Sequence, residues 1–369
     1  MTQQMPRSPL PRGRRKRLKI AILYNVDFAD SSPEGDPGWA ARADVEAVAR
    51  SVSDALSAGP ADVELIPIDG DLTSLRDRLV RFQPDSVFNL CESICGDARL
   101  ESALPLIVEL LGFPITGSPA EVLSLSLHKD RVKAVLVEAG VPTPESCVMT
   151  HADAPCSLPF PVIVKPVRED GSVGIQSRSV VHDEASLRSV VADVVREYRQ
   201  PCIVERFIDG RELNVALLGF PSARVLPLSE IDFALLPAGV PKIVSYDAKW
   251  TADSPEYKGT QPVLHPELPA SVAARVRRVA LEAFRAVGLR DYGRVDIRLS
   301  PDGVPYVVDV NPNCDLSPTA GMARAAGAVG IDYEALVRLV GRYSLRRRMK
   351  EERDEQHSQA GARGSIAPR

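Results

Sequence analysis

The stretch YGRVDIRLSPDGVPYVVDVNPN, residues 292–313, sets Arg294, Asp296, Asp309 and Asn311 into an otherwise apolar run. Its halves read as strands and Pro301-Asp302-Gly303 as the turn between them, so a hairpin is expected. Successive side chains of a strand point to opposite faces. Arg294 and Asp296 therefore share one face, and Asp309 and Asn311 form a second same-facing pair. The turn fixes which residues pair, which brings both polar pairs to one end of the ribbon. Val295, Ile297, Val307, Val308 and Val310 call for burial, and a solvated surface hairpin explains poorly why four polar groups interrupt them. Two carboxylates and an amide oxygen are hard ligands suited to Mg2+ that also bonds substrate phosphates. Arg294 beside them suits stabilisation of a phosphoryl group in transit.

Outward from the hairpin, strands and helices alternate. Residues 18–26 (LKIAILYNV), 63–69 (VELIPID) and 86–93 (SVFNLCES) read as strands, with helices in DVEAVARSVSDAL (44–56) and SLRDRLVRF between them. A helix in LESALPLIVELLG and a short strand in PITGS follow. This βαβαβ order implies a parallel sheet with helices on both faces and a ligand crevice at the strands' carboxyl ends, near Asn25, Glu92 and Ser93. The composition shifts at 124–129. A helix closed by Gly140 follows, then strand, glycine loop and strand over 160–181, and a helix over 186–198. Residues 201–220 read as two strands pairing through a turn at Asp209-Gly210. A last block holds SEIDF, the irregular segment 237–268, the helix SVAARVRRVALEAFRAVG and the opening hairpin.

At 369 residues the chain is too long for one small core. With 44% hydrophobic and 25% charged residues it can build a large one, and a net charge of -4 argues against a general nucleic-acid binder. The six cysteines (91, 95, 147, 156, 202, 314) lack zinc spacing, which favours free thiols in a reducing cytoplasm. No stretch reaches the ~18 apolar residues of a membrane helix. Arg14-Arg15 ahead of LKIAIL mimics an export signal, but the apolar run stops at Asp27 without a small-residue cleavage site. The expected organisation is a disordered basic tail over 1–17, an α/β domain over 18–126, a central domain over 127–210, a C-terminal domain over 211–345 and a disordered tail over 346–369.

Only nine of the 45 basic residues are lysines, yet Lys165 sits inside the apolar strand FPVIVKPV. It reads either as a lysine snorkelling from a strand end or as a point charge for phosphate. The following loop, REDGSVG (168–174), can cradle phosphate oxygens with backbone amides, though it matches neither the Walker spacing nor GxGxxG. Glu205 and Glu212 flank Phe207 and Ile208. Together they suit an adenosine, while either glutamate alone suits a solvated strand end.

The order Lys129, Lys165, GSVG, Glu205, Glu212, Lys249, GRVD and VVDVNPN resembles the ATP-grasp superfamily, in its D-alanine–D-alanine ligase branch. The resemblance runs from about residue 19 to about 343. It implies an α/β (α+β) fold with an N-terminal parallel sheet and two antiparallel sheets gripping ATP. Carried over by position, Lys129 and Lys165, with the loop residues Gly171 and Ser172, would contact the nucleotide phosphates. Glu205, Arg206 and Ile208 would line the adenine site, Glu212 would hold the ribose and Lys249 would reach the transferred phosphate. Arg294 would brace an acyl phosphate, and Asp296, Asp309 and Asn311 would bind two Mg2+, or Mn2+. Asp309 stands where Glu is commoner.

The implied activity is ATP-dependent joining of a small-molecule carboxylate to an amine, in the cytoplasm, with no nucleic acid or membrane partner and a homodimer left open. The amino-acid half departs from the branch. Members typically hold the first amino acid with a Glu, a loop Ser and a Tyr; the corresponding residues here are Arg42, Gly171 and Trp250. A Ser after the metal-binding Asn typically holds the second carboxylate, and that position is Ala320. A cation at position 42 would repel an ammonium and attract a carboxylate or phosphate. The expected substrates therefore differ from two D-alanines, with Cys314, Ser317 and Thr319 lining the pocket. A true D-alanine–D-alanine ligase and a nucleotide-binding protein without turnover are the competing readings.

Overall fold

The computed structural model describes residues 17–26 and 45–364. Arg42, with the rest of 27–44 and nearly all of the basic N-terminal segment, lies outside the described residues. Strand β1 (Leu18–Asn25) is the middle of a three-stranded parallel sheet, flanked by β2 (Ala61–Ile68) and β3 (Ser86–Asn89). Its alternate residues serve two cores, as the period of two requires. Ile20 and Ile22 pack with Ala49, Val52 and Leu56 of α1 (Val45–Ser57). Ala21 and Leu23 pack with Leu75 and Leu79 of α2 (Leu72–Phe82) and Leu104 and Val108 of α3 (Ala103–Leu110). Helices therefore cover both faces. The strand expected at PITGS is reduced to one parallel bridge, Val87 to Ile115. The Thr116 hydroxyl turns back to accept from Asn89 N (3.0 Å), and the Gly117 amide is taken by Asp291 Oδ2 (3.0 Å), so pairing stops there.

After α4 (Ala120–Leu127) and α5 (Lys129–Glu138) the chain forms an antiparallel four-stranded sheet. Its order is β4 (Ser146–Met149), β7 (Cys202–Arg206), β5 (Val162–Pro166) and β6 (Val180–Val181). It buries Val162, Val164 and Val204 against Leu187 and Val191 of α6 (Glu184–Tyr198). The expected hairpin over 201–220 is not formed. β8 (Arg211–Gly219) joins the other antiparallel sheet instead, so Asp209-Gly210 is a crossover between sheets. Arg298 Nε donates to Ile208 O (3.0 Å), and a side chain at Gly210 would collide with Leu299 O, so the crossover is pressed onto the C-terminal sheet.

That six-stranded sheet adds β9 (Arg224–Val225), β10 (Ser229–Asp232), β11 (Gln261–Leu264), β12 (Asp291–Leu299) and β13 (Pro305–Asn311). Segment 237–268 is less irregular than its sequence suggests, holding α7 (Tyr246–Trp250) and α8 (Pro255–Lys258) as well as β11. Helix α9 (Ala270–Val287) covers one face, where Val276, Val279 and Ala283 meet Leu213, Val215, Val295 and Ile297. Each such Val, Leu or Ile side chain contributes about 1.5–3 kcal/mol by burial. Val132 and Leu136 of α5 join this core.

The opening hairpin forms with Arg294 opposite Asn311 and Asp296 opposite Asp309. A β-bulge after that pair sets Ile297 opposite Val307 and leaves Val308 as the extra residue. The bulge changes the parity of β13. Val307 and Val310 both enter the α9 core, while Asp309 and Asn311 face the other way.

Short α10 (Gly321–Gly327) leads to α11 (Tyr333–Gly364). Helix runs well past residue 346, where a disordered tail was expected, because the Arg, Met, Lys and Glu run there favours helix and its first turns are anchored. Arg347 Nη1 donates to both oxygens of Asp291 (2.7 and 2.8 Å), and Arg348 pairs with Glu352 four residues on (2.9 Å). Cysteines 91, 95, 147, 156, 202 and 314 form no disulfide with one another.

Candidate active site

Because Val295, Ile297 and Leu299 face α9, β12 must present Arg294, Asp296 and Arg298 on its opposite side. Together with Asp309 and Asn311 they floor a cavity of about 720 Å3. Across it stand β5, β7 and loop 168–174, and the carboxyl end of the parallel sheet borders it through Glu92. Asn25 and Ser93, expected at the same crevice, are fully buried behind it, Asn25 accepting from Glu92 N at 3.1 Å.

The cavity wall brings together Lys129, Lys165, Gly171, Ser172, Glu205, Arg206, Ile208, Glu212, Lys249, Trp250, Ser317, Thr319 and Ala320. Cys314 does not join them. It is 4% exposed and packs in the core with Phe88, Leu316 and Met322, because the chain after Asn313 turns inward there; burial pushes its thiol up to about 12.

Lys165 is not snorkelling. Its Nζ donates to Glu205 Oε2 at 2.7 Å, and Lys133 reaches Oε1 of the same carboxylate at 3.2 Å. Burial would raise the Glu205 pKa, but the two ammonium groups outweigh it and hold it at about 2. Lys133 also donates to Thr143 Oγ1 and Pro144 O, both at 2.8 Å, which fixes the connection into β4. Burial pulls Lys249 below its usual value, and neighbouring Arg294 pulls it the same way. Lys129 is raised, because Asp170 (3.3 Å) and Asp309 (4.0 Å) outweigh its desolvation.

Opposite, Arg298 Nη1 binds Glu212 Oε2 at 3.1 Å; burial still leaves that carboxyl above its ordinary range. Arg206 lies over the Tyr306 ring, 5.3 Å from its centre. Gly171 and Ser172 both take positive φ, at 62° and 65°, and the loop is tied down on three sides. Trp250 Nε1 donates to Gly171 O, Ser172 Oγ to Val244 O and Tyr246 N to Ile175 O, each at 2.8 Å.

Asp296 accepts three hydrogen bonds. Arg294 grips it side-on (Nε to Oδ1 2.8 Å, Nη2 to Oδ2 2.9 Å) and Asn214 Nδ2 donates to Oδ1 at 2.8 Å. Burial would raise its pKa, but Arg294 outweighs it and the pKa falls. Asp309 is the converse: burial raises it, and Lys129 does not compensate. A half-buried carboxylate short of positive charge, beside a second carboxylate and an amide oxygen, fits a divalent cation, which Asp296, Asp309 and Asn311 would hold. Among the described residues no group of three or more His, Cys, Asp or Glu forms a cage of its own. Asp296 Oδ2 accepts one hydrogen bond and keeps a lone pair that such a cation would use.

Three contributing residues escaped sequence analysis: Lys133, Asn214 and Arg298. Two had a signal. Arg298 continues the alternation of Arg294 and Asp296 along β12, and Asn214 follows Glu212 by two along β8.

Two antiparallel sheets closing on a lysine-lined cavity, with the carboxylate hairpin as its floor, define an ATP-grasp fold. The chain belongs to the D-alanine–D-alanine ligase family, whose model, described as the D-ala D-ala ligase C-terminus, matches residues 135–340. The chain is 36% identical to the uncharacterized protein y4sG of Sinorhizobium fredii over 74% of its own length and 81% of that protein. It is 34% identical to a D-alanine–D-alanine ligase of Xanthomonas axonopodis pv. citri, over 78% of its own length and 86% of the relative. In fold it resembles the Bacillus anthracis D-alanine–D-alanine ligase complexed with ATP, with a TM-score of 0.69 at 23% identity, covering 90% of this chain and 99% of that one. The Coxiella burnetii ligase gives a TM-score of 0.69 at 19% identity, covering 95% and 100%. No helix among the described residues is long and apolar enough to cross a membrane.

Proposed function

We propose that this protein is an ADP-forming ligase that joins a carboxylate to an amine through an acyl phosphate, using ATP with Mg2+ or Mn2+, and that its substrates are not two D-alanines. The carrying observation is the convergence of Lys129, Lys165, Lys249 and Arg294 with Asp296, Asp309 and Asn311 around one cavity. A carboxylate is a poor electrophile because oxide is a bad leaving group; phosphorylation by ATP replaces it with phosphate, which an attacking amine displaces. Lys129 and Lys165 hold the phosphates, and Lys249 and Arg294 neutralise charge as the phosphoryl group moves. A divalent ion held by Asp296, Asp309 and Asn311 would polarise the phosphates further. Glu205, Arg206, Ile208 and Glu212 receive the nucleoside. Loop 168–174, docked on α7, keeps water from the acyl phosphate.

The substrate half supports the departure from D-alanine. Gly171 has no hydroxyl and its carbonyl is already bound by Trp250, Trp250 offers an indole N–H rather than a phenol, and Ala320 has no hydroxyl. The test is ADP release from MgATP with pooled amino acids, products read by mass spectrometry, beside D-alanine alone. Pool-dependent ADP and an amide product uphold the proposal. Efficient D-alanyl-D-alanine synthesis overturns its substrate clause, and ADP release independent of any acceptor overturns the ligase reading.

A further inference from the structure

The four-stranded layer carries chemistry that the cavity does not use. Cys147 on β4 and Cys156, on the connection from β4 to β5, bring their sulfurs to 3.0 Å, Cys147 Sγ donating to Cys156 Sγ. A disulfide bond is about 2.05 Å long, so about 1 Å of movement separates this contact from a bond. Both thiols are half-buried, unlike those of Cys202 and Cys314, which are buried.

The turn between the two cysteines is packed. Ala154 N donates to His151 O at 3.1 Å, and Arg188 Nη1 of α6 donates to Ala152 O at 2.8 Å. Met149 and Ala154 belong to the layer's own core, and Cys147, Cys156 and Leu158 pack against it. Strand register places the pair behind the sheet. Cys147 is opposite Val204 on β7, and directly opposed residues of an antiparallel pair share a face. Val204 belongs to that core, whereas its neighbour Glu205 lines the cavity. A bond between the cysteines therefore closes on the far side from the cavity and obstructs nothing in it.

We propose that Cys147 and Cys156 form a redox-active dithiol, a modification site that takes a low-molecular-weight disulfide as oxidant and closes into an intramolecular disulfide. The proposal is independent of the reaction assigned to the cavity. Burial, and then Cys156 beside it, push the Cys147 thiol up to about 12, and that thiol already donates to Cys156 Sγ, so Cys156 attacks first. Its proton passes to solvent, its sulfur bonds one sulfur of the oxidant, and the oxidant's S–S bond breaks to release one small thiolate. Cys147 then loses its proton to solvent and attacks Cys156 Sγ, expelling the second small thiolate. Both thiolates take up protons. Two electrons have moved from the pair to the oxidant, and the protein has lost two hydrogens. The closed ring staples edge strand β4 to the connection that leads into β5, the strand of Lys165.

The experiment incubates the full chain with glutathione disulfide, blocks the remaining thiols with N-ethylmaleimide and maps the peptides by mass spectrometry. The expected product is a linked Cys147–Cys156 pair that dithiothreitol reopens. Closure raises the thermal midpoint by about 4 °C, the scale for so short a loop in a chain of this size. Cys147→Ser keeps a glutathione adduct on Cys156 and shows no such rise, and Cys156→Ser leaves Cys147 largely unmodified. Persistent glutathione adducts on the wild-type pair, or both thiols still open to maleimide, overturn the proposal. So does a link from either cysteine to a different one, or a thermal rise that survives in Cys147→Ser. Should a serine variant fail to fold, the wild-type peptide map decides alone.

Discussion

Asp309 and Glu205 are both carboxylates on this cavity, and their surroundings treat them oppositely. Asp309 is desolvated with little compensation, so Asp309→Asn removes a charge that burial penalises. Its thermal midpoint should hold or rise slightly without metal, while Mg2+-dependent turnover falls by about 1,000-fold, the scale of several kcal/mol of lost metal stabilisation. Steady-state kinetics and melting curves of the same preparation check both halves. Glu205 is clamped by Lys133 and Lys165, and Glu205→Gln strands two buried ammonium groups, costing about 3–5 kcal/mol. Because its folded pKa is depressed to about 2 from 4.5, the ionised carboxylate stabilises fully above about pH 4.5 and loses that contribution as pH falls toward 2. The gap in melting temperature between wild type and variant should be wide at neutral pH and close on acidification. A gap independent of pH would remove the clamp from the account of stability.

Among the elements, the glycine loop and α7 act together. Trp250→Phe deletes the donor to Gly171 O and leaves a residue pair at positive φ with one tie fewer. Closure should weaken by about 0.5–1.5 kcal/mol, so ADP formed per amide product should rise about 3- to 10-fold through hydrolysis of the acyl phosphate. Assaying both products in one reaction measures that ratio; unchanged coupling would mean that the loop is held without Trp250. Much of this layer was legible in the sequence. The alternation of Arg294, Val295, Asp296 and Ile297 and the Pro-Asp-Gly turn specified the hairpin, and the spacing of apolar runs specified the parallel sheet. The bulge at Val308 was not legible, because VVDV reads as a plain strand and only packing against α9 selects the extra residue. Asp209-Gly210 misled because a turn signal does not say whether the next strand pairs with the last or crosses to another sheet.

For the molecule as a whole, the decisive join lies far from the chemistry. Arg347 of α11 grips Asp291, which is 1% exposed, donates to Ile115 O, and shares that carboxylate with the Gly117 amide. Arg347→Met leaves a buried carboxylate without its cation and should cost about 3–5 kcal/mol, read as a lowered denaturant midpoint. Arg348→Met, one residue on and exposed in its pair with Glu352, should change stability by no more than about 1 kcal/mol. Equal effects would show that α11 contributes only by covering surface. The join also divides the labour of movement. It fastens the parallel sheet to the six-stranded sheet, and α5 and α9 stiffen the latter, so these layers form an anvil. The four-stranded layer keeps its own core and meets the anvil through a small apolar cluster of Ile163, Val180 and Ile243 and through bonds such as Thr143 to Val307 O and Trp250 to Gly171 O. It is the jaw. On the proposed function, the nucleotide's binding energy would be spent on swinging one light layer against a fixed block, and the hairpin proposed to hold the metal would belong to the side that stays still.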